Sequence, residues 1–330
     1  MILAAGLGTR LRPLTDKCPK PLVPFFGVPL LYILLEQVAA LAPEEIFVNG
    51  HHLPEQVKNA ISSYPLTVNI RFSFEKEILG TAGAFYPIKQ HLKNHDLLVI
   101  NGDIVSDFDL PSLIAQHQQE GPIATMGLLS NPHPGKTLVW HDRTRILGIG
   151  GEKPHIATHG GSFAGVQVLS EEFLHLIKDH THAESMPIYQ RLIKEGKKIS
   201  HLSSNPFWYD IGCFQDYYQA HAHALASLQD LAEPLALSKV WKNLGIAPEF
   251  YGEGAKEPAQ GFKPPYFNSK SVKLGEGTQL GPLAFNMSAL DKIPDGISIS
   301  QSILLPGAVL EPGMKIKNMI ISKNALISIT

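Results

Sequence analysis

The sequence predicts an α/β fold, a mainly parallel sheet flanked by helices, followed by a short β-helix. Three observations carry this. Apolar strand-like runs alternate with stretches of helical spacing up to about residue 229. A Gly- and Pro-rich stretch without sustained period, "YGEGAKEPAQGFKPPYFN", then interrupts the chain. Beyond it, aliphatic residues recur at six-residue steps. The expected division is a main domain at 1–229, a linker at 230–270 with a short helix around 237–244, and a repeat-bearing tail at 271–330.

Taken in order, the strands are expected at "MILAA", "EIFVNG", "NIRFSF", "DLLVING" and "IATMGLL". Helical spacing runs over residues 30–41, 54–63, 81–92, 110–120, 170–178, 187–194 and 214–228. Crossover helices of that length imply strands running mainly in parallel. In the tail Ile297, Ile303 and Val309 stand six apart, and Leu274 and Leu280 repeat the step with a glycine after each. Such a repeat reads as hexapeptide coils, each short strand stacking on the next. After Val309 the step drifts through Ile316, Ile321 and Ile327, and a small irregular β cap is the competing reading.

The bulk numbers exclude several functions. A chain of 330 residues with 44% hydrophobic and 18% charged residues is globular and long enough for a large core. A net charge of −2 gives no general attraction to nucleic acid or to an anionic membrane, so a bound anion must be met by local charge. That draws attention to Arg10, Arg12, Lys17 and Lys20. Cys18 and Cys213, far apart and without a CxxC, indicate neither a disulfide framework nor a cysteine metal site and fit a reducing cytoplasm. No signal peptide or membrane span is expected, since the most apolar run, residues 29–41, is broken by Glu36 and Gln37.

The first strand empties into "AAGLGTRLRPLT". Gly6 and Gly8 lack the third glycine of a dinucleotide fingerprint, and Thr9 and Arg10 stand where a P-loop needs Lys and Ser or Thr. The physics of an anion loop survives. Glycines after a strand let backbone N–H groups approach phosphate closely, and Arg10 adds a permanently charged fork. In "CPKPLVP" the prolines Pro19 and Pro21 fix the backbone on both sides of Lys20. Lys20 is thus either aimed at an anion or a solvated lysine between two turns.

The run "LAAGLGTRLRPLTDKCPKPLVPFFGVPLL", Leu3 to Leu31, resembles the signature of the sugar-1-phosphate nucleotidyltransferases, the enzymes that make NDP-sugars. The resemblance continues to about Asp216. It implies a Rossmann-like sheet, and the tail is similar to the left-handed β-helix of many members. By that resemblance Ala5, Gly6, Gly8, Thr9 and Arg10 wrap a nucleoside triphosphate, with Arg10 on its phosphates and Lys20 reaching the reacting phosphate.

Three further segments complete the expected site. In "EKEILGTAGAF" Gly80 and Gly83 flank Thr81, which reads either as a capped loop or as a flat surface for a nucleobase; the resemblance assigns base recognition to Glu75, Gly80 and Thr81. Asp103 follows the strand of "LLVINGDIV" and Asp210 that of "NPFWYDIG", and ligands of open α/β sheets gather beyond strand ends. Magnesium takes few carboxylates plus substrate phosphates and waters, so two aspartates suffice, and both match the family's metal-binding pair. Cys213 stands where the family pattern continues with Thr. The family's Glu-Lys pair for the sugar and its phosphate corresponds to Glu152 and Lys153, with Gly165 leaving room for the ring; an exposed charged turn is the other reading of Glu152.

His51, His52, His221 and His223 lack partners at ligand spacing and are expected at the surface or in the core. No Ser-His-Asp arrangement is present. The implied reaction is Mg2+-dependent transfer of a nucleotidyl group from an NTP to a sugar 1-phosphate, GTP with a mannose-type sugar being preferred. UTP with muramate- or glucose-type 1-phosphates is the alternative, as is a regulatory subunit that senses nucleotide sugars without catalysis. Arg10, Lys20, Asp103 and Asp210 together favour catalysis. From Ser271 onward there is no histidine, which speaks against an acyltransferase tail. The open ends of the coil call for cover, on a face of the main domain or in a homo-oligomer.

Overall fold

In the first of two structural units, strand Ile2–Leu3 lies between Ile46–Gly50 and Leu97–Asn101, parallel to both, and Ile70–Phe74 continues the parallel order. The computed structural model describes residues 1–92, 94–179, 181–251 and 260–329. This unit comprises Met1–Leu7, Leu41–Ile61 and Leu66–Trp208; the second comprises Gly8–Ala40, Ser62–Pro65 and Tyr209–Thr330.

All five residues of Ile46–Gly50 are buried, as a parallel strand covered on both faces requires. Ala124–Leu129 is buried throughout and pairs in parallel with Ile199–Ser204. The long strand His159–Leu169 runs antiparallel to Leu97–Asn101, Ala124–Leu129 and Leu138–His141, so the sheet is mixed rather than mainly parallel. A hairpin adds a further antiparallel pair. Leu138–His141 and Ile146–Ile149 are joined by a turn in which the Asp142 carboxylate accepts the N–H groups of Thr144 and Arg145, and a link that short can only reverse the chain.

Helix Leu110–Glu120 is capped by the Asp109 side chain, which accepts Ser112 N–H at 3.0 Å, and it ends at Gly121 with φ 55°. The helix expected over 81–92 is not continuous. One turn at Gly80–Gly83 and a 3-10 turn at Lys89–His91 replace it, because Pro87 supplies no N–H and disfavours helical backbone in the residue before it. Between helices and sheet, Phe85, Ile88, Val99, Met126, Phe173 and Tyr189 are core residues.

In the second unit the signature segment folds as 3-10 turns at Thr9–Leu11, Leu14–Asp16 and Lys20–Leu22, followed by helix Leu30–Ala39. Glu36, the charge inside that apolar helix, is buried, yet it accepts from Tyr64 Oη at 2.9 Å and Asn243 Nδ2 at 2.8 Å and pairs with Lys239. A tight turn at Phe26 and Gly27 joins the short antiparallel strands Pro24–Phe25 and Val28–Pro29. Phe26 takes the left-handed region, φ 47°, at a cost of about 1–3 kcal/mol. Its ring packs on His221, Phe267 and Phe285, its N–H donates to His221 Nε2 at 3.2 Å, and its carbonyl accepts Trp241 Nε1 at 3.0 Å.

Helix Phe214–Ala226 and the expected short helix, Leu237–Asn243, precede the tail. Residues 252–259 of the Gly- and Pro-rich stretch lie outside the described residues. Three short parallel sheets then stack coil on coil: Tyr266–Asn268, Ala284–Asn286, Ser302–Leu304 and Met319–Ile321 on one side, Gln279–Leu280, Ser298–Ser300 and Lys315–Lys317 on another, Lys273–Leu274 and Lys292–Ile293 on the third. Paired residues recur at about 18-residue intervals, three hexapeptides per coil. Leu280, Ile297 and Ile303 are fully buried, as the six-residue step predicts. Val309 is 63% exposed, because the step slips in the turn "LEPG" and Ile316 and Ile321 take over the interior. Strand Leu326–Ser328 folds back antiparallel on Met319–Ile321. Among the described residues no helix is long and apolar enough to cross a membrane.

Candidate active site

The parallel strands of the first unit end around one cavity of about 250 Å³. Leu3, Ala5 and Gly6 line it from the first strand and the loop after it, Asn49 from the second, Glu75, Ile78, Gly80 and Thr81 from the loop after the third, and Asn101 and Asp103 from the end of the fourth and the turn beyond. Glu184, from the segment before helix Ser185–Lys194, completes the wall. An open α/β sheet places ligands there, because several strand-end loops converge beyond its carboxyl edge.

Neighbouring strands brace the opening loop. Asn49 Oδ1 accepts Ala4 N–H at 2.6 Å, and its Nδ2 donates to Glu75 Oε1 at 2.6 Å. Glu75 Oε2 accepts Leu79 N–H at 2.9 Å, so both oxygens of this 1%-exposed carboxylate hold the protein's own backbone and side chains. Close packing brings Asp103 in as well: a Cβ at Gly102 would lie 2.6 Å from the Leu3 carbonyl oxygen.

The glycine loop adopts a form that sequence alone misplaced. Thr81 does not cap its own helical turn, whose N-cap is Leu79. Its hydroxyl donates to Glu184 Oε2 at 2.8 Å and accepts Ser185 N–H at 2.9 Å, which ties the loop to the start of helix Ser185–Lys194. Gly80 has φ 74°, and a Cβ there would meet the Ala183 carbonyl oxygen at 2.6 Å and Glu184 Oε1 at 2.8 Å. Any side chain would force the two segments apart.

A second cluster belongs to the second unit. Lys20 is 8% exposed, and its Nζ stands 3.8 Å from Asp210 Oδ1. Gly8, left-handed at φ 63°, packs so that a Cβ would lie 2.9 Å from Thr15 Cγ2 and 3.3 Å from Lys20 Cβ, and Thr15 Oγ1 donates to its carbonyl at 2.7 Å. Thr9 and Arg10 are exposed, and the Arg10 guanidinium lies over Gly212, 2.8 Å from where its Cβ would be. Cys213 replaces a hydroxyl as the N-cap of helix Phe214–Ala226: its Sγ accepts Asp216 N–H at 3.5 Å and donates to Asp216 Oδ2 at 3.1 Å.

Glu152 and Lys153 stand on an exposed turn and do not line the cavity. Gly165, φ 79°, has a demonstrable packing reason, since a Cβ would lie 2.9 Å from Ile104 Cγ1 and 3.2 Å from Asn101 Nδ2. His221 is fully buried, and burial pushes its imidazole down to about 3. Both cysteines are free, and burial pushes the Cys18 thiol up to about 11, far from a nucleophilic thiolate. Among the described residues no group of three or more His, Cys, Asp or Glu could hold a metal ion.

A nucleotidyl transferase profile matches residues 1–227. The chain belongs to the nucleotidyl transferase family. Relatives of this nucleotidyltransferase include the probable mannose-1-phosphate guanylyltransferase 2 of Oryza sativa subsp. japonica, 26% identical over 97% of this chain and 85% of that one. The mannose-1-phosphate guanyltransferase of Candida albicans is 30% identical over 69% of this chain and 65% of its own. In fold the nucleotidyltransferase is similar to the UDP-glucose pyrophosphorylase from Acinetobacter baumanii, with TM-score 0.59 and 18% identity over 74% of this chain and 98% of that one. Sequence reasoning missed Asn49 and Glu184. Asn49 carried a signal, the polar end of the buried strand "IFVNG"; Glu184 carried none, since only the backbone path brings it to Thr81.

Proposed function

We propose that this nucleotidyltransferase joins a sugar 1-phosphate to the α-phosphorus of a nucleoside triphosphate, releasing pyrophosphate, with GTP and a mannose-type 1-phosphate as substrates. The observation that carries this reading is the cavity beyond the parallel strand ends, where the glycine-bearing opening loop, Gly80, Thr81 and Asp103 converge. The naming of relatives that span nearly the whole chain supports the choice of substrates.

In this reading the backbone from Ala5 to Thr9 meets the triphosphate, and the exposed Arg10 fork binds its oxygens. Lys20, held within the fold, neutralises charge where nucleophile and leaving group share it. The sugar phosphate has a second pKa near ~6 and is already largely a dianion at neutral pH, so the site needs alignment and positive charge rather than a general base. Asp103 and Asp210 are the carboxylates assigned to magnesium; as hard oxygen donors they suit the ion, which when bound relieves polyphosphate charge. Glu152 and Lys153 are assigned to the sugar phosphate. Two unpaired thiols agree with work in a reducing cytoplasm.

The test is pyrophosphate release, with magnesium, over four NTPs crossed with a set of sugar 1-phosphates. GTP with a manno-configured acceptor is expected to be turned over fastest. Release from no pair would overturn the reading and leave a nucleotide-sugar sensor.

A further inference from the structure

The cavity wall contains two carboxylates beside the glycine loop, and they are not equivalent. Glu75 is buried, and its two oxygens already accept from Asn49 Nδ2 and Leu79 N–H. Glu184 is different: its side chain is 48% exposed and lines the cavity, its Oε2 accepts the Thr81 hydroxyl at 2.8 Å and the Thr81 N–H at 3.4 Å, and its Oε1 stands 3.3 Å from His182 Nε2. Gly80 is bare beside it, leaving Glu184 Oε1 uncovered by any side chain at that position.

An ionised carboxylate is an acceptor only, with two parallel oxygens and about four lone-pair directions, of which the cavity contacts use a part. The ligand edge that matches it is a pair of adjacent N–H donors, as in bidentate charge-assisted recognition. Among the nucleobases guanine alone has such an edge, in N1–H next to the 2-amino group. Uracil and thymine offer one N–H between two carbonyl oxygens, which a carboxylate repels. Adenine and cytosine set one amino donor beside a ring-nitrogen acceptor.

We propose that Glu184 is the specificity residue for the base, its carboxylate accepting both N1–H and N2–H of guanine, while Glu75 only holds the loop in shape. This rests on the nucleotidyltransferase reading above and adds to it the group that selects GTP. The Thr81 hydroxyl and His182 fix the direction of the carboxylate before the base arrives, which reduces the ordering cost of binding.

Inosine triphosphate separates this inference from its parent, because it keeps N1–H and lacks only the 2-amino group. Pyrophosphate release by the whole chain with GTP, ITP and UTP is to be measured for wild type, Glu184→Ala and the isosteric Glu184→Gln, with thermal melting in parallel. Wild type is expected to favour GTP over ITP in kcat/KM by about tenfold or more, the worth of one hydrogen bond to a charged group. Both variants should bring the GTP:ITP ratio close to one through loss of GTP turnover, with ITP turnover reduced less. A merely structural role would lower turnover of all three nucleotides together and leave the ratio unchanged. An unchanged ratio in Glu184→Gln, a wild-type ratio near one, or a preference for UTP overturns the assignment while the transferase stands; release from no nucleotide overturns both.

Discussion

Lys20 Nζ lies 3.8 Å from Asp210 Oδ1, and their side chains are only 10% and 17% exposed. An ammonium and a carboxylate held that close, with so little water between them, are set in position by the fold before any substrate arrives. Lys20→Ala is expected to fold and to lose several hundredfold in turnover, about 3–4 kcal/mol by analogy with other fixed transition-state donors. Pyrophosphate release beside a circular-dichroism melt checks this; near-normal turnover would remove Lys20 from the reaction.

Asn49→Ala should harm the fold first. It strips a donor from the buried Glu75 carboxylate and an acceptor from Ala4 N–H at once. Leaving such groups unpaired costs about 2–4 kcal/mol, so urea denaturation should show a lowered midpoint with little change in slope. A midpoint equal to wild type would mean that water replaces the amide without loss.

Gly212→Ala separates binding from folding. The new Cβ would lie 2.8 Å from Arg10 Nη2, the far end of a flexible side chain, so the guanidinium must move while the backbone need not. Gly212 is buried, but the group that must give way is the end of the exposed Arg10 side chain, so the melting temperature should change by less than about 2 °C. KM for the triphosphate should rise about tenfold, as for loss of one charge-assisted contact. An unaltered KM would show that Arg10 does not need that position.

His221 gives the chain a sensitivity to acid. In the folded state its Nε2 accepts Phe26 N–H and its Nδ1 donates to the Tyr217 carbonyl at 2.9 Å, the neutral tautomer, and burial holds the group down to about 3. Its unfolded value is near ~6.5, so between the two the unfolded chain binds the extra proton. Stability is therefore full above ~6.5 and falls as pH drops toward 3, by about 2 kcal/mol between pH 7 and pH 5. Chemical denaturation at both pH values, for wild type and His221→Gln, tests it: the variant, less stable at pH 7, should lose about 2 kcal/mol less on acidification. An equal loss in both would assign the acid sensitivity to other groups.

Much of the first unit was legible because buried parallel strands read as continuous apolar runs and because a residue just past such a strand, Asp103, points beyond the sheet edge. The antiparallel strand His159–Leu169 was not, since its direction shows only in the strands it pairs with across the sheet and not in its own composition. Glu75 is assigned to the base by resemblance alone, not by any pattern of its own neighbours. Its hydrogen-bond partner Asn49 was not legible, being 26 residues away in sequence and adjacent only across parallel strands. Glu184 lies 103 residues from Thr81, a distance at which no local pattern can report a hydrogen bond. In the tail the period survived in Leu280, Ile297 and Ile303 and failed at Val309, where a turn changes the count.

The strained turn at Phe26 has a consequence for how this chain can be shortened. Its ring, N–H and carbonyl are held by Phe267, Phe285, His221 and Trp241, and Gly27 N–H donates to Met287 Sδ at 2.9 Å. The stacked coils are therefore a foundation for the segment that carries Arg10 and Lys20. A chain truncated before Tyr266 would lose Phe267 and Phe285, the aromatic anchors of a turn four residues upstream of helix Leu30–Ala39.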